Sequence, residues 1–275
     1  EAQNYSDSLE IEVAERTKEL KAVNDLLTSS IDYASKIQKA LLPQKHKLTE
    51  YCQDHFIYHD QRDIVGGDFY AIFENKDKMY VCVFDCAGHG VPGALLTMIL
   101  GSSLQNIIKN EIESPGFLLT KLNNFFKEAL SNTEGYEVSE DGLDAIVLEI
   151  KKTGNKLRFS GAGIPLLYIR QNNYEMIKGD KCGIGYSSTP INYSYKNIDV
   201  DINKGDFIYL ASDGICDQIG GKGISFGNKR LMEILLKNSK LSMHEQKNTF
   251  IKNFKDYIGN NKRRDDITLL GIKSG

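Results

Sequence analysis

Apolar residues recur every seven positions along the N-terminal part of the chain, at Val13, Leu20, Leu27, Ala34 and Leu41. A second apolar position follows the same period, although it is interrupted by polar residues. Residues 8–42 contain neither glycine nor proline, and a proline follows at position 43. The pattern predicts one long helix with the heptad spacing that is typical of coiled coils.

Two arrangements of this helix are consistent with the pattern. In the first, residues 9–41 form a parallel coiled coil that dimerises the chain and carries a signal from an upstream sensor domain. In the second, a single amphipathic helix lies along its own domain, because Arg16, Ser30 and Ala34 weaken the apolar seam. We therefore predict a helical linker over residues 1–43 and a separate domain over residues 44–275.

Beyond residue 43 the pattern changes to short apolar runs separated by turns. Seven runs are typical of strands: 56–59, 79–84, 143–150, 156–160, 166–170, 207–211 and 267–272. Four segments have helical periodicity: 92–110, 115–131, 229–237 and 243–258. Strands and helices come in blocks rather than in strict alternation, which predicts an α+β fold with a mixed or antiparallel sheet and helices on its faces.

Composition limits the functional class. The 275 residues carry a net charge of −3, and this near balance argues against a nucleic-acid partner. No apolar run reaches the roughly 18 residues of a membrane span, so we expect no direct membrane contact.

Five cysteines without a C-x-x-C pair favour reduced thiols in a cytoplasmic protein over a zinc site. The first residue is not Met. We therefore expect a fragment of a larger sensor protein, whether or not that protein is anchored to a membrane.

Aspartates stand where apolar runs begin or end, at Asp68, Asp85, Asp213 and the pair Asp265-Asp266. Carboxylates at strand ends converge if the strands are neighbours, and buried carboxylates repel each other unless a cation lies between them. Oxygen ligands without His or Cys favour Mg²⁺ or Mn²⁺ over zinc. Neighbouring glycines allow positive φ and close approach of the backbone. The spacing therefore predicts a site for a hard divalent ion.

The motifs that carry these acids resemble a known family. The segments "RDIVGGDFY", "DCAGHGVPGALL", "DGLDAIVLEI", "GDFIYLASDGICDQ" and "RRDDITLLGIK" are similar to those of SpoIIE/RsbU-type PPM (protein phosphatase 2C-like) phosphatases. The resemblance covers residues 44–275. It implies a four-layer α-β-β-α sandwich of two antiparallel sheets, preceded here by the long helix.

The resemblance also implies roles for the acids. Asp85 would bridge two Mn²⁺ or Mg²⁺ ions and hold the attacking water, and the backbone carbonyl of Cys86 would add a ligand. Asp213 and Asp265 would bind the other ion, and Asp68 would bind directly or through water.

Four further assignments follow from the same resemblance. Asp266 is the secondary candidate within its pair, and Asp144 would bind a third, weaker ion. Arg62 is either a phosphate ligand or a surface salt-bridge partner. His89 either locks its loop by hydrogen bonds or acts as a general acid. Support of the loops around the ions is expected from this histidine and from four glycines: Gly67, Gly88, Gly90 and Gly214.

The implied activity is metal-dependent hydrolysis of phosphoserine or phosphothreonine on a regulatory protein, such as an anti-sigma factor antagonist, under the control of an N-terminal sensor. The alternative is a silent pseudophosphatase that binds a phosphoprotein or relays a signal, and phosphodiester cleavage is a third reading. Docking or rotation of residues 37–43 is expected to move the elements that hold Asp68 and Asp213. Four histidines lie outside the motifs of the resemblance and are assigned no role: His46, His55, His59 and His244.

Overall fold

A long N-terminal helix precedes ten strands and five shorter helices in the computed structural model of the protein, which describes residues 2–43, 47–131, 141–152 and 155–275. The strands are β1 (Asp54–Asp60), β2 (Asp68–Asn75), β3 (Lys78–Cys86), β4 (Leu143–Lys151), β5 (Lys156–Ala162), β6 (Leu166–Arg170), β7 (Asn173–Ile177), β8 (Ile198–Asp201), β9 (Phe207–Ala211) and β10 (Ile267–Lys273). The helices are α1 (Ala2–Leu41), α2 (Gly90–Ile107), α3 (Pro115–Ser131), α4 (Gly214–Asp217), α5 (Gly227–Lys237) and α6 (Met243–Ile258).

The strands form two antiparallel five-stranded sheets. The first sheet has the order β1-β10-β9-β6-β7, and the second has the order β2-β3-β4-β5-β8. Helices α2 and α3 cover the outer face of the second sheet, and α5 and α6 cover the outer face of the first. A third apolar cluster fills the space between the sheets. The expected four-layer α-β-β-α sandwich is confirmed.

The central strand β3 shows why the apolar runs are so continuous. It reads KMYVCVFDC and is buried from Met79 to Phe84. Alternate residues face the helices α2 and α3 or the opposite sheet, because this strand has a covering layer on each side.

Three strands, β2, β7 and β8, were not predicted. Strands β7 and β8 are five and four residues long and lie at sheet edges, where polar side chains remain exposed and the apolar signal is weak. Strand β2 reads DFYAIFEN and pairs with β3 over its whole length across the two-residue turn Lys76-Asp77, so its apolar residues were a signal that the sequence analysis did not use.

The last turns of α1 lie against the folded domain. Ser35 and Gln38 are buried, and a Cβ at Gly101 of α2 would contact the side chain of Leu41 at 3.1 Å. The arrangement of a helix along its own domain is therefore correct for this end of α1. Further towards the N-terminus, apolar side chains such as Val13, Leu20 and Leu27 are more than half exposed.

The boundary at residue 43 stays a prediction, with α1 ending at Leu41. Across the described ranges, every helix falls short of the length and apolar character that crossing a bilayer requires.

Candidate functional site

Three aspartates lie side by side across the second sheet. Asp68 of β2 is directly opposite Asp85 of β3, and Asp85 is directly opposite Asp144 of β4. Residues that face each other in antiparallel strands project from the same face of the sheet. Alternation along each strand places this face towards the first sheet, since Val83 and Ile146, two positions away, belong to the core between the sheets.

The first sheet supplies the opposite wall of the site. Ser212 and Asp213 directly follow β9, and Thr268 lies near the start of β10. The backbone N–H of Asp213 donates to Oδ2 of Asp85 at 3.3 Å. Asp68, Asp85 and Asp213, which the sequence predicted to converge, therefore lie close together between the two sheets.

Asp68 is deeply buried, with 2% of its surface exposed. Its Oδ2 accepts hydrogen bonds from the hydroxyls of Ser212 (2.6 Å) and Thr268 (2.7 Å). Burial raises the pKa of Asp68 to about 7, while the two hydroxyl donors act in the opposite direction. The environment thus combines a low dielectric with donors that favour the ionised form.

The neighbouring carboxyls have raised pKa values for the same main reason. Burial raises the pKa of Asp85 well above its usual range, and repulsion from Asp68 and Asp213 adds to the effect. Burial, followed by repulsion from Asp213, raises the pKa of Asp144 to about 6. The pKa of Asp213 is also raised, first by burial. Negative charge at this place is costly without a nearby cation.

The two acids before β10 have different surroundings. Oδ1 of Asp266 accepts from the backbone N–H of Arg62 at 2.7 Å, and its Oδ2 accepts from Gly67 N–H at 2.6 Å. Asp266 therefore joins both ends of the loop that leads into β2. Asp265 is half-buried beside it, with Oδ1 accepting from the N–H of Asp266.

Two different constraints explain the glycines of the site. Gly88 and Gly90 have φ values of +81° and +67°, which side-chain-bearing residues rarely adopt. Gly67 is limited by space, because a Cβ there would lie 2.5 Å from the carbonyl oxygen of Gly88 and 2.8 Å from that of Cys86. A Cβ at Gly214 would likewise collide with the backbone of Asp266.

A cavity of about 200 Å³ opens beside three of the aspartates. Its lining consists of Asp85, Asp144, Gly163, Ile164, Pro165, Leu167, Ala211, Ser212, Asp213, Cys216, Asp217 and Asn228. Among the described residues, no Lys, Arg or His contributes to this lining. Cys216 and Asp217 of α4 line the cavity beside the predicted aspartates, although the sequence analysis assigned neither of them to the site.

The structure does not bring Arg62 or His89 to this cavity. The Arg62 guanidinium donates to the carbonyl of Arg264 at 2.8 Å and lies 3.8 Å from Asp63, so its contact with phosphate stays a prediction. Nδ1 of His89 lies 3.2 Å from Oδ2 of Asp63, an arrangement that fits a loop-locking role. His46 lies outside the described residues.

Gln38 of α1 is a further residue that sequence reasoning missed. Its Nε2 donates to the carbonyl of Gly66 (2.6 Å) and to Oγ1 of Thr97 in α2 (2.7 Å). Its Oε1 accepts from Nε2 of Gln61 at 2.8 Å. One side chain of α1 thereby holds the loop next to Asp68, and a polar residue within a heptad pattern was the only available signal.

The donor set consists of oxygens, as an ion such as Mg²⁺ or Mn²⁺ requires. In the ranges that the structure describes, no three His, Cys, Asp or Glu side chains stand in a ready-made coordination arrangement. One reason is that Oδ2 of Asp68 is directed at hydroxyls of the first sheet. The five cysteines are free thiols, and Cys82 and Cys86 are buried.

Comparison with known proteins gives a consistent result. The sequence model of the family described as Stage II sporulation protein E (SpoIIE) matches residues 75–274, a range that includes Asp85, Asp144, Asp213 and Asp265 but not Asp68. The phosphoserine phosphatase RsbU of Bacillus subtilis is 24% identical over 207 residues, which are 72% of this chain and 56% of RsbU. The chain thus spans little more than half the length of this relative.

Two solved structures show the same architecture. The SiaA-PP2C domain of Pseudomonas aeruginosa is 33% identical with a TM-score of 0.80, over 92% of this chain and 99% of that domain. The PP2C phosphatase domain of SpoIIE from Bacillus subtilis, solved with a fragment of its regulatory domain, has a TM-score of 0.61 at 15% identity, over 80% of this chain and 62% of that one. The second similarity shows the fold alone.

Close packing at Gly67 generates a prediction about stability. In the variant Gly67→Ala the new methyl group meets two backbone carbonyls, and we expect a loss of about 1–3 kcal/mol in the free energy of unfolding, typical of overpacking. Urea denaturation followed by circular dichroism measures this loss. Gly221→Ala is the matched control, because nothing lies within 4 Å of its Cβ position. Equal stability of the two variants would contradict the packing argument.

Proposed function

Because the chain belongs to the Stage II sporulation protein E (SpoIIE) family, we propose that it is a metal-dependent phosphatase that hydrolyses phosphoserine or phosphothreonine on a regulatory protein. The observation that carries this proposal is the row of Asp68, Asp85 and Asp144 in direct register, with Asp213 on the opposite wall. Like charges directly opposite one another destabilise a sheet, so a function that requires a cation explains their retention.

The residues present fit a hard divalent ion such as Mn²⁺ or Mg²⁺. Asp85, the central acid of the row, would lie between two ions, with the carbonyl of Cys86 as a further ligand of one. Asp213, Asp265 and Asp68 would complete the two sites. Two such ions supply a water of lowered pKa and neutralise the charge of a phosphate group.

Two residues complete the ligand assignment. Asp144, at the end of the row, would hold a weaker third ion. Both oxygens of Asp266 already accept backbone hydrogen bonds, which argues against its candidacy as a direct ligand and favours Asp265.

The chain's own residues divide the remaining tasks. Asp85 would orient the attacking water. It lies between Asp68, which is next to it in the second sheet, and Asp213, which belongs to the opposite wall. The acidic cavity lacks a basic residue among the described residues, so the negative charge of the substrate must be balanced by the bound ions rather than by Lys or Arg. A phosphate ester would then bind well only to the loaded site.

The shape of the cavity favours a phosphorylated side chain on a protein surface. Its volume of about 200 Å³ is small, and its lining combines apolar residues such as Pro165 and Leu167 with the polar Asn228. RsbU is a phosphoserine phosphatase, and we extend this substrate class to the present chain, with a small regulatory protein such as an anti-sigma factor antagonist in the cytoplasm as the substrate.

The proposed activity predicts Mn²⁺-dependent hydrolysis of p-nitrophenyl phosphate and of a phosphoserine protein. Asp85→Asn removes the shared ligand, and we expect kcat/KM to fall at least about 100-fold, because even outer-shell changes at metal sites commonly cost 10–100-fold. Asp217→Asn is the matched control, since Asp217 lines the same cavity but lies outside the ligand set. We expect it to retain activity within about threefold, an effect of less than 1 kcal/mol.

Failure of this prediction has two distinguishable forms. Equal rates for the wild type and Asp85→Asn would refute the ligand assignment. Absence of both hydrolysis and calorimetrically detected Mn²⁺ binding below millimolar concentrations would favour a pseudophosphatase that binds phosphoproteins.

The contact between Gln38 and the loop before Asp68 supports control by an upstream sensor. Gln38 is 1% exposed and contacts the backbone of Gly66, while Asp266 holds the ends of the same loop. A rotation or displacement of α1 would break these contacts and release the residue that precedes Gly67-Asp68. We propose that signals reach the site along this path.

Gln38→Met tests the path, because methionine keeps the length of the side chain but removes its hydrogen bonds. Buried partners left unsatisfied cost about 1–3 kcal/mol, and we expect about a tenfold change in kcat/KM or in the Mn²⁺ concentration for half-maximal activity. Lys36→Met, on an exposed part of the same helix, is the control. Identical kcat/KM together with identical Mn²⁺ dependence in the two variants would rule out Gln38 as the link.

Within the predicted range 9–41, we propose that the part of α1 that precedes the domain contact forms a parallel coiled coil with a second copy of the chain. The heptad residues Val13, Leu20 and Leu27 are between 58% and 70% exposed in the single chain, and apolar surface repeated at this spacing is typically covered by a partner helix. The polar Gln38 lies outside this seam, on the face that contacts the domain.

The double variant Leu20→Ser/Leu27→Ser is expected to shift the protein from dimer to monomer in sedimentation velocity at micromolar concentration. Each substitution removes apolar surface worth about 1.5–3 kcal/mol when buried. Ile11→Ser/Leu26→Ser removes two exposed apolar residues that lie off the repeat and should leave the dimer largely intact. A monomeric wild type, or equal effects of both pairs, would contradict the coiled coil.

A further inference from the structure

We propose that His59 is a positioning residue of the site, which acts through Thr268 to hold Asp68 in the orientation that an ion needs. The inference rests on the proposed function, because it concerns the same ligand set. It assigns a role to a histidine that has no motif context in the sequence.

A continuous chain of hydrogen bonds joins His59 to Asp68. Nδ1 of His59 lies 2.9 Å from Oγ1 of Thr268, and Oγ1 of Thr268 lies 2.7 Å from Oδ2 of Asp68. Ser212 closes the network from the other side, because its hydroxyl donates to the same Oδ2 at 2.6 Å and accepts from the backbone N–H of Thr268 at 2.9 Å.

The donor and acceptor roles in this network follow from counting hydrogens. Each hydroxyl has one hydrogen, and an ionised Asp68 accepts from both Ser212 and Thr268. The oxygen of Thr268 is then available only as an acceptor towards His59. The ring must therefore carry its proton on Nδ1, which is the donor.

The surroundings of the imidazole agree with this tautomer. Nε2 is buried and has no hydrogen-bond partner among the described residues, so it is unsatisfied in either tautomer. A proton on Nε2 would also leave Nδ1 as an acceptor that competes with Asp68 for the single hydroxyl hydrogen of Thr268. Burial also lowers the pKa of His59 to about 4, which keeps the ring neutral and leaves one proton for Nδ1.

The fold holds His59 in place for this role. It lies on β1 directly opposite Thr268 of β10, and its ring packs against the edge of Tyr70 in β2, with 5.3 Å between centroids. The contact therefore joins the first sheet, through His59 of β1, to the second sheet, through Tyr70 of β2. The imidazole bridges the two walls of the site at the level of Asp68.

The consequence for Asp68 is a division of labour between its two oxygens. Two hydroxyl donors occupy the lone pairs of Oδ2, which leaves Oδ1 as the oxygen for an ion. Loss of the His59 donor would free Thr268 to rotate, and Asp68 would lose part of its orientation. Partners of this kind, one step behind a ligand, tune metal affinity.

The experiment compares Mn²⁺ binding by calorimetry in the full chain. His59→Phe keeps a ring against Tyr70 but lacks the donor, and we expect about 3- to 10-fold weaker binding, the range for one hydrogen bond, with kcat at saturating Mn²⁺ less affected. His59→Asn places an amide N–H near the position of Nδ1 and should restore affinity to within about twofold of the wild type. Binding by His59→Phe equal to that of the wild type, or failure of asparagine to rescue, would overturn the proposal.

A spectroscopic readout addresses the tautomer directly. In the diamagnetic Mg²⁺-loaded protein, ¹⁵N NMR of the histidine rings should show the proton of His59 on Nδ1, and a proton on Nε2 would overturn the network. Should His59→Phe fail to fold, as judged by thermal melting, Thr268→Val and Thr268→Ser replace it. The valine variant should bind Mn²⁺ more weakly than the serine variant, and equal affinities would count against the proposal.

These outcomes are separable from failure of the proposed function. If the wild type binds no Mn²⁺, or Asp85→Asn binds it equally well, the metal site itself is wrong. If Asp85→Asn abolishes binding while His59→Phe binds like the wild type, only the role of His59 is refuted.

Discussion

Electrostatic repulsion between carboxylates that the sheet holds in register is the constraint on which this structure depends. Asp68, Asp85 and Asp144 face each other across three adjacent strands, and the hydrogen-bond ladder does not let them move apart. Burial aggravates the repulsion because water cannot screen it. The site is therefore built around negative charge, which the hydroxyls of the first sheet stabilise by donating hydrogen bonds and which the proposed divalent cation would neutralise.

The loop before β2 connects this constraint to the rest of the molecule. Asp266 holds it at Arg62 and at Gly67, and Gln38 of the long helix holds it at Gly66. The position of Asp68 consequently depends on elements that are far apart in the chain. The long helix α1 thereby contacts the backbone next to an acid of the site, and this contact is the short physical path that we propose for regulation.

Much of the fold was predictable because buried strands in a sandwich leave a strong apolar signal. The run from Met79 to Phe84 is covered by helices on one side and by a sheet on the other, so its composition reflects burial on both faces. The edge strands β7 and β8 escaped prediction because one side of each is exposed. Strand β2 is a different case, since it is largely buried and is joined to β3 by a two-residue turn, so an apolar signal for it was present in the sequence.

The same division holds for the site. Residue type and spacing alone predicted that Asp85 and Asp213 converge on an oxygen-rich site for a hard ion, because an acid that ends an apolar run lies at the end of a strand. The roles of Gln38, His59 and Thr268 emerged only from the tertiary structure. Their hydrogen-bond partners are between 23 and 209 positions away, and no periodicity along one strand or helix records which side chains will meet across two sheets and a docked helix.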